Sequence, residues 1–453
     1  MGRTRYASVL GLGFGDCGKG HFIDALTRLW HAHTVVRFNG GAQAGHNVVT
    51  AVRADSPGRH HTFSQFGAGT LVPGVRTVLV DPMIVHPTAL LNEAEVLGNI
   101  GVNDALSRLT IDGQCRITTP FHQAAGRLRE LLRGEAAHGT CGVGVGETVR
   151  HALVYPGQEL RYADLPDPGS TKVLDRLHAI REALLAEFVP QCPKGSAGAR
   201  SAEFQTLQNE TLAAKWMTSA RALARHSPPA SFETVREQLS QDGCILFEGA
   251  QGVLLDEWRG FHPHTTWSSI NTAAADAVAM HFGLESPIEH YGVMRPYLTR
   301  HGTGPLPTCD ESLDELLPEL HNSGDGWQGR FRRGHPDAVL ARYAFEAAGR
   351  LSGLLISHLD VFQRGHSLKW CESYSVTPPL PQWPPHVERL PLGGSKDLDH
   401  QLSLTHLLQN ARPQYSAEPI CSVQDFLERI SEVCSLRVAF CSYGATCADV
   451  REK

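Results

Sequence analysis

The sequence predicts an α/β protein built on a large mixed, mostly parallel sheet flanked by helices. Short apolar runs rich in branched residues recur at 7–10, 34–38, 77–80, 244–247, 354–357 and 437–441. Such runs suit strands buried on both faces, as in a parallel sheet covered by helices. Between them the apolar period changes to about 3.6, as in Phe22, Ile23, Leu26, Leu29 and Trp30, and in Val173, Leu174, Leu177, Ile180, Leu184, Leu185 and Phe188. These stripes read as ordinary core-facing helices.

The 453 residues exceed a typical domain length. No repeat, low-complexity tract or flexible linker divides them, so residues 1–453 are expected to form one domain, with loop excursions near 190–201 and 377–416. Hydrophobic residues make up 42% and charged residues 19%, which suits a folded chain rather than a disordered one. Lysine and arginine number 41 against 47 aspartates and glutamates, a net charge of -6 that argues against nucleic acid as a partner. No apolar window is long enough to span a membrane. Eleven cysteines without a C-x-x-C pair suggest reduced thiols and a cytoplasmic protein. The pairs His31/His33, His60/His61 and His262/His264 lack metal-site spacing and read as structural or surface residues.

The first run leads into Gly11-Leu-Gly13-Phe-Gly15-Asp16-Cys17-Gly18-Lys19-Gly20 and then a helix. A strand, a glycine-dense turn and a helix N-terminus direct backbone N–H groups and a positive dipole end at one point, which suits a phosphate. The spacing begins like a P-loop, but Gly20 stands where a Ser or Thr would bind magnesium. Asp16 inside this loop would repel phosphate unless it ligates magnesium, acts as a base, or does both. The second run leads into Asn39-Gly-Gly-Ala-Gln43-Ala-Gly45-His46, where His46 is either a proton donor or a hydrogen-bonded loop histidine.

GDCGKG at 15–20, NGGAQAGH at 39–46, FEGAQG at 247–252 and GRFRRG at 329–334 occur in order, with weaker matches at Asp81-Pro82, Gly139-Thr140, Ser268-Ser269 and Thr299-Arg300. Together they resemble adenylosuccinate synthetases, which join aspartate to IMP using GTP. The resemblance spans nearly the whole chain and implies a P-loop-related fold with insertions. It also implies roles. Asp16 withdraws the purine N1 proton and ligates Mg2+ with the Gly45 carbonyl. Lys19 and the amides at Gly15, Gly18 and Gly20 neutralise the transferred phosphate, and His46 stabilises the departing GDP. His358, Asp360, Ser442 and Gly444 fall in GTP-binding positions, and Asp360 can accept both guanine ring N–H and amine. Gln43, Thr140, Gln251, Thr266 and Arg330 match purine-nucleotide contacts. Gln328, Arg330 and Arg332 match aspartate contacts. The family also implies a homodimer.

Several positions depart from the family pattern: Cys17 for Glu, His21 for Lys, Gln43 for Asn, His358 for Lys, Cys141 for Thr and Val143 for Arg. Trp267 is an extra residue in the phosphate-binding segment, and Arg150 is the candidate for an arginine that crosses the dimer interface. The substitutions spare the catalytic residues and fall around the phosphate, sugar and acceptor base. Two alternatives therefore stand beside IMP ligation. One is the same chemistry on GMP or dGMP, as in a phage-associated branch of the family, and the other is a catalytically silent nucleotide binder.

Overall fold

In the computed structural model, residues 4–51, 58–166, 171–319, 322 and 326–453 are described. A ten-stranded sheet runs through the molecule. Its order is Val450–Glu452, Val438–Ser442, Gly353–Ile356, Ile288–Met294, Arg5–Gly11, Cys244–Glu248, Ala32–Arg37, Arg76–Leu79, Leu109–Asp112 and Pro229–Ala230. Neighbouring strands are parallel except at one edge, where Val450–Glu452 runs antiparallel to Val438–Ser442. All six apolar runs lie in this sheet, displaced by at most two residues from their expected starts.

The period of two sorts each strand between two cores. Ala7 and Val9 pack with the Lys19–Leu29 helix, whereas Tyr6 and Leu10 pack with Phe232–Leu239 and Thr272–Phe282 on the opposite face. Leu354 and Ile356 join a third core with Ala338–Ala348 and the C-terminal helices, while Leu355 faces the first. The expected amphipathic helices form at Lys19–Leu29 and Lys172–Phe188.

Both expected excursions hold more regular structure than their composition suggests. Residues 190–201 include the helix Ala197–Arg200, capped by the Ser196 side chain. Residues 377–416 begin as an irregular Pro-rich stretch but include the helix Leu398–Gln409 and the strand Ala411–Tyr415, which pairs with Cys371–Val376. Leu404, Leu407 and Leu408 carry that helix into the third core. Tertiary burial thus overrides the local Pro and Gly signals. Among the described residues, no helix is long and apolar enough to cross a membrane.

Candidate active site

Six adjacent parallel strands deliver their following loops to one edge of the sheet: Val438–Ser442, Gly353–Ile356, Ile288–Met294, Arg5–Gly11, Cys244–Glu248 and Ala32–Arg37. Ligands of open parallel sheets bind outside the carboxyl ends of strands. A cavity of about 250 Å3 lies there, lined by Gly15, Asp16, Lys19, Gln43, Gly45, His46, Thr140, Gln251, Thr266 and Gln328. Side chains that are up to 312 residues apart in sequence therefore share one wall.

The glycines set how closely these loops approach. A Cβ on Gly20 would lie 2.6 Å from the His46 Cβ, so the hydroxyl residue of a P-loop has no room here. Gly18 caps the helix with φ 90, in the left-handed region, and brings Ser357 against the turn. Lys19 is buried, and its Nζ donates to the Gly15 carbonyl at 2.5 Å.

His46 is 5% exposed, and its Nδ1 meets Glu248 Oε1 at 2.5 Å. The other Glu248 oxygen accepts from the Ala68 N–H. Burial pulls the His46 pKa down to about 4 despite Glu248, so the ring is neutral at pH 7. Among the described residues its Nε2 has no hydrogen-bond partner. The amide groups of Gln43 and Gln251 are likewise unpartnered, and Gln251 adopts a left-handed φ of 55. Buried polar atoms without partners are costly, and here they line a cavity that can supply a polar ligand.

Burial raises the Asp16 carboxyl, but the charges of Arg295 and Lys19 and the Asn322 amide outweigh it and hold it below its usual range. Arg295 Nη2 lies 3.0 Å from Asp16 Oδ1, and Asn322 Nδ2 donates to Oδ2 at 2.6 Å. The carboxylate is thus ionised and oriented. His358, also at a left-handed φ, is kept neutral by burial and Arg295.

Other expected site residues stand farther out. Ser442 Oγ donates to the Gly444 carbonyl and meets His21 Nε2 at 2.7 Å, and Asp360 pairs with Arg364. Arg332 reaches the rim, donating to the Gly304 carbonyl at 2.5 Å. Arg330 does not enter the cavity. Its guanidinium, on the residue just before the strand Phe331–Gly334, is 57% exposed and bound to Glu311 and Asp314. Arg150 pairs with Glu187 of its own chain at 2.9 Å. Trp267 projects against Gly146, on the boundary with a second cavity of about 500 Å3.

The family model for adenylosuccinate synthetase matches residues 8–450. The chain belongs to the adenylosuccinate synthetase family. It is 31% identical to the adenylosuccinate synthetase of Anaeromyxobacter dehalogenans strain 2CP-1, over 96% of this chain and 95% of that protein. The corresponding enzyme of Alkalilimnicola ehrlichii is 33% identical, over 90% of this chain and 85% of its own length. Among solved structures, the fully ligated adenylosuccinate synthetase of Plasmodium falciparum shares the fold, with TM-score 0.76 and 19% identity over 99% of this chain and 100% of that one. The succinoaminodeoxyadenylate synthetase of cyanophage S-2L, bound to dGMP and dATP, matches at TM-score 0.53 and 16% identity, over 99% and 96%. Adenylosuccinate synthetases are GTP-dependent ligases of purine biosynthesis that form a carbon–nitrogen bond.

Three residues that line this cavity or pair with its side chains were given no role in the sequence reading. Glu248 lies inside the FEGAQG motif, but its pairing with His46 has no local signature. Arg300 is 2% exposed, donates to the carbonyls of Pro305 and His264, and lies over the Phe14 ring. Burial and Arg332 lower its pKa to about 9, so it remains a cation in the cavity wall at neutral pH. Arg295 follows Met294, the last residue of a central strand. A strand-end position was the one signal that could have marked it.

Proposed function

We propose that this chain joins L-aspartate to C6 of IMP at the expense of GTP, through a 6-phosphoryl intermediate. The observation that carries this reading is the convergence of Asp16, Lys19, His46 and Gln251 on one cavity lined by unpartnered polar atoms. A silent nucleotide binder needs neither an ionised carboxylate inside a phosphate loop nor a histidine braced by a buried glutamate.

Asp16 accepts the N1 proton, and the 6-oxygen attacks the γ-phosphorus as the bond to GDP breaks. Lys19 and the loop amides spread the charge of the transferred group, so catalysis is mainly alignment and electrostatics. Glu248 holds His46 by Nδ1, which leaves Nε2 for the cavity. A phosphate oxygen at Nε2 supplies the negative charge that stabilises imidazolium, so the ring gains its proton as donor binds and presents it to the leaving oxygen. The aspartate amine then displaces phosphate from C6, and the old 6-oxygen leaves with it. Gln251 and Gln43 address the purine, Thr140 and Thr266 its phosphate, and Gln328 and Arg332 the amino acid.

Magnesium suits this cavity, because Asp16 offers a carboxylate and Gly45 a backbone carbonyl, with phosphates and water left to complete an all-oxygen shell. When bound it supplies charge neutralisation at the phosphates. GTP is the donor we assign, with Asp360 reading guanine and His358, Ser442 and Gly444 beside it. A homodimer is supported by an apolar surface at Leu131, Leu132, Leu153 and Val154 on the helices Pro120–Arg133 and Val145–Val154. A cytoplasmic location accords with eleven free cysteines.

The second reading, GMP or dGMP as acceptor, draws on Gln43, Cys141, Val143 and Trp267, departures that all lie in the cavity wall. The mechanism is tested with IMP carrying 18O at position 6. The label should appear in the released phosphate, and label lost to water without GTP turnover would remove the phosphoryl intermediate.

A further inference from the structure

Asp16 closes a ring of four side chains. Arg295 Nη2 lies 3.0 Å from Asp16 Oδ1, and Arg295 Nη1 lies 2.5 Å from Glu319 Oε1. Asn322 Nδ2 donates to Asp16 Oδ2 at 2.6 Å and reaches Glu319 Oε2 at 3.5 Å. Arg295 is 3% exposed and also donates to the Tyr297 hydroxyl, over whose ring it lies at 5.0 Å. A buried guanidinium requires compensating charge, and two carboxylates from separate elements provide it. Each pins one arm of the fork, so Arg295 has little freedom to rotate.

We propose that Arg295 is a positioning residue for the ligation: it holds Oδ1 of Asp16 and thereby presents Oδ2 to the acceptor base. The two oxygens are held differently. Oδ1 faces a buried cation fixed at a strand end, whereas Oδ2 faces a neutral amide N–H from Asn322, which also lines the cavity. A purine N1–H is the same kind of donor as that amide, a neutral N–H, so the acceptor takes the place of Asn322 without disturbing Arg295. Glu319 plays the supporting part by bracing the far arm of the guanidinium.

The inference rests on the assignment of Asp16 as the base. Its test compares Arg295→Met, Arg295→Lys, Arg295→Met/Glu319→Gln and Asp16→Ala for kcat, for KM of each substrate and for thermal stability. Misplacing a reacting group by about 1 Å costs roughly a hundredfold in rate. Arg295→Met should accordingly lose about that factor in kcat, with every KM within about threefold, and Arg295→Lys should recover at least about tenfold of it. The double variant removes the stranded Glu319 charge. It should regain stability while kcat stays low. A wild-type kcat in Arg295→Met, a kcat restored along with stability in the double variant, or a loss confined to KM would overturn the positioning role. If Asp16→Ala itself keeps full turnover, the base assignment fails instead, and the two failures are thereby told apart.

Discussion

The phosphate-loop side and the Arg330–Arg332 side of the site are built on different principles. On the first side, loops leave the ends of buried parallel strands and press together until only glycine fits, as at Gly20 against His46. On the second, a two-stranded ribbon, Leu298–His301 paired with Phe331–Gly334, stands outside the main sheet and ends in an exposed turn. Packing fixes the proposed catalytic groups of the first side. Surface ion pairs to Glu311 and Asp314 hold Arg330 of the second, and such exposed pairs are screened by water and weak. On the proposed roles, a tightly packed phosphate site is thus joined to an amino-acid site held by surface ion pairs.

The largest effect that would sharpen this contrast is at Asp16. Asp16→Ala should remove turnover by at least about a thousandfold while nucleotides still raise the melting temperature, because base and binding loop are separable. Unchanged activity would take Asp16 out of the base role. Next is a pair of glycines. Gly20→Ala forces a Cβ into His46 and should lower kcat by about a hundredfold. Gly326→Ala meets nothing within 4 Å and should behave as wild type. Equal sensitivity at the two positions would break the contrast.

Smaller effects separate the arginines. Arg332→Met should raise the KM for aspartate by about tenfold, the cost of one charge-assisted contact, and Arg330→Met by less than about threefold. The reverse order would mean that the turn swings Arg330 inward on binding. A further effect is on stability and concerns pH. Burial depresses His46 and His21 to about 4, below the usual 6.5, so the unfolded chain binds more protons than the native one between those values. Native stability is therefore retained above about pH 6.5 and falls on acidification, by about 2 kcal/mol per ring at pH 5. A melting temperature flat from pH 7 to pH 5 would show that these rings are not held neutral.

The contrast also explains what could be read from the residues alone. Ala7, Val9, Val35 and Phe247 mark strands because a doubly covered sheet demands apolar side chains on both faces, and the glycine motifs mark loops because close packing demands them. Arg295 and Glu248 leave no such mark. Their meaning comes from pairing with Asp16 and His46 across the sheet edge, over sequence separations of 279 and 202 residues. The direction of Arg330 was hidden for a related reason, since its partners Glu311 and Asp314 lie in a separate segment that the basic run Arg330 to Arg333 does not point to.

The central claim is tested most directly by incubating the purified protein with GTP, Mg2+ and aspartate against IMP, GMP and dGMP in parallel, and reading the products by mass spectrometry. The account predicts a succinyl-purine nucleotide from IMP, with one GDP and one phosphate for each product formed. Turnover with GMP or dGMP but none with IMP would contradict it in favour of the second acceptor, and no product from any of the three would contradict the ligase reading itself.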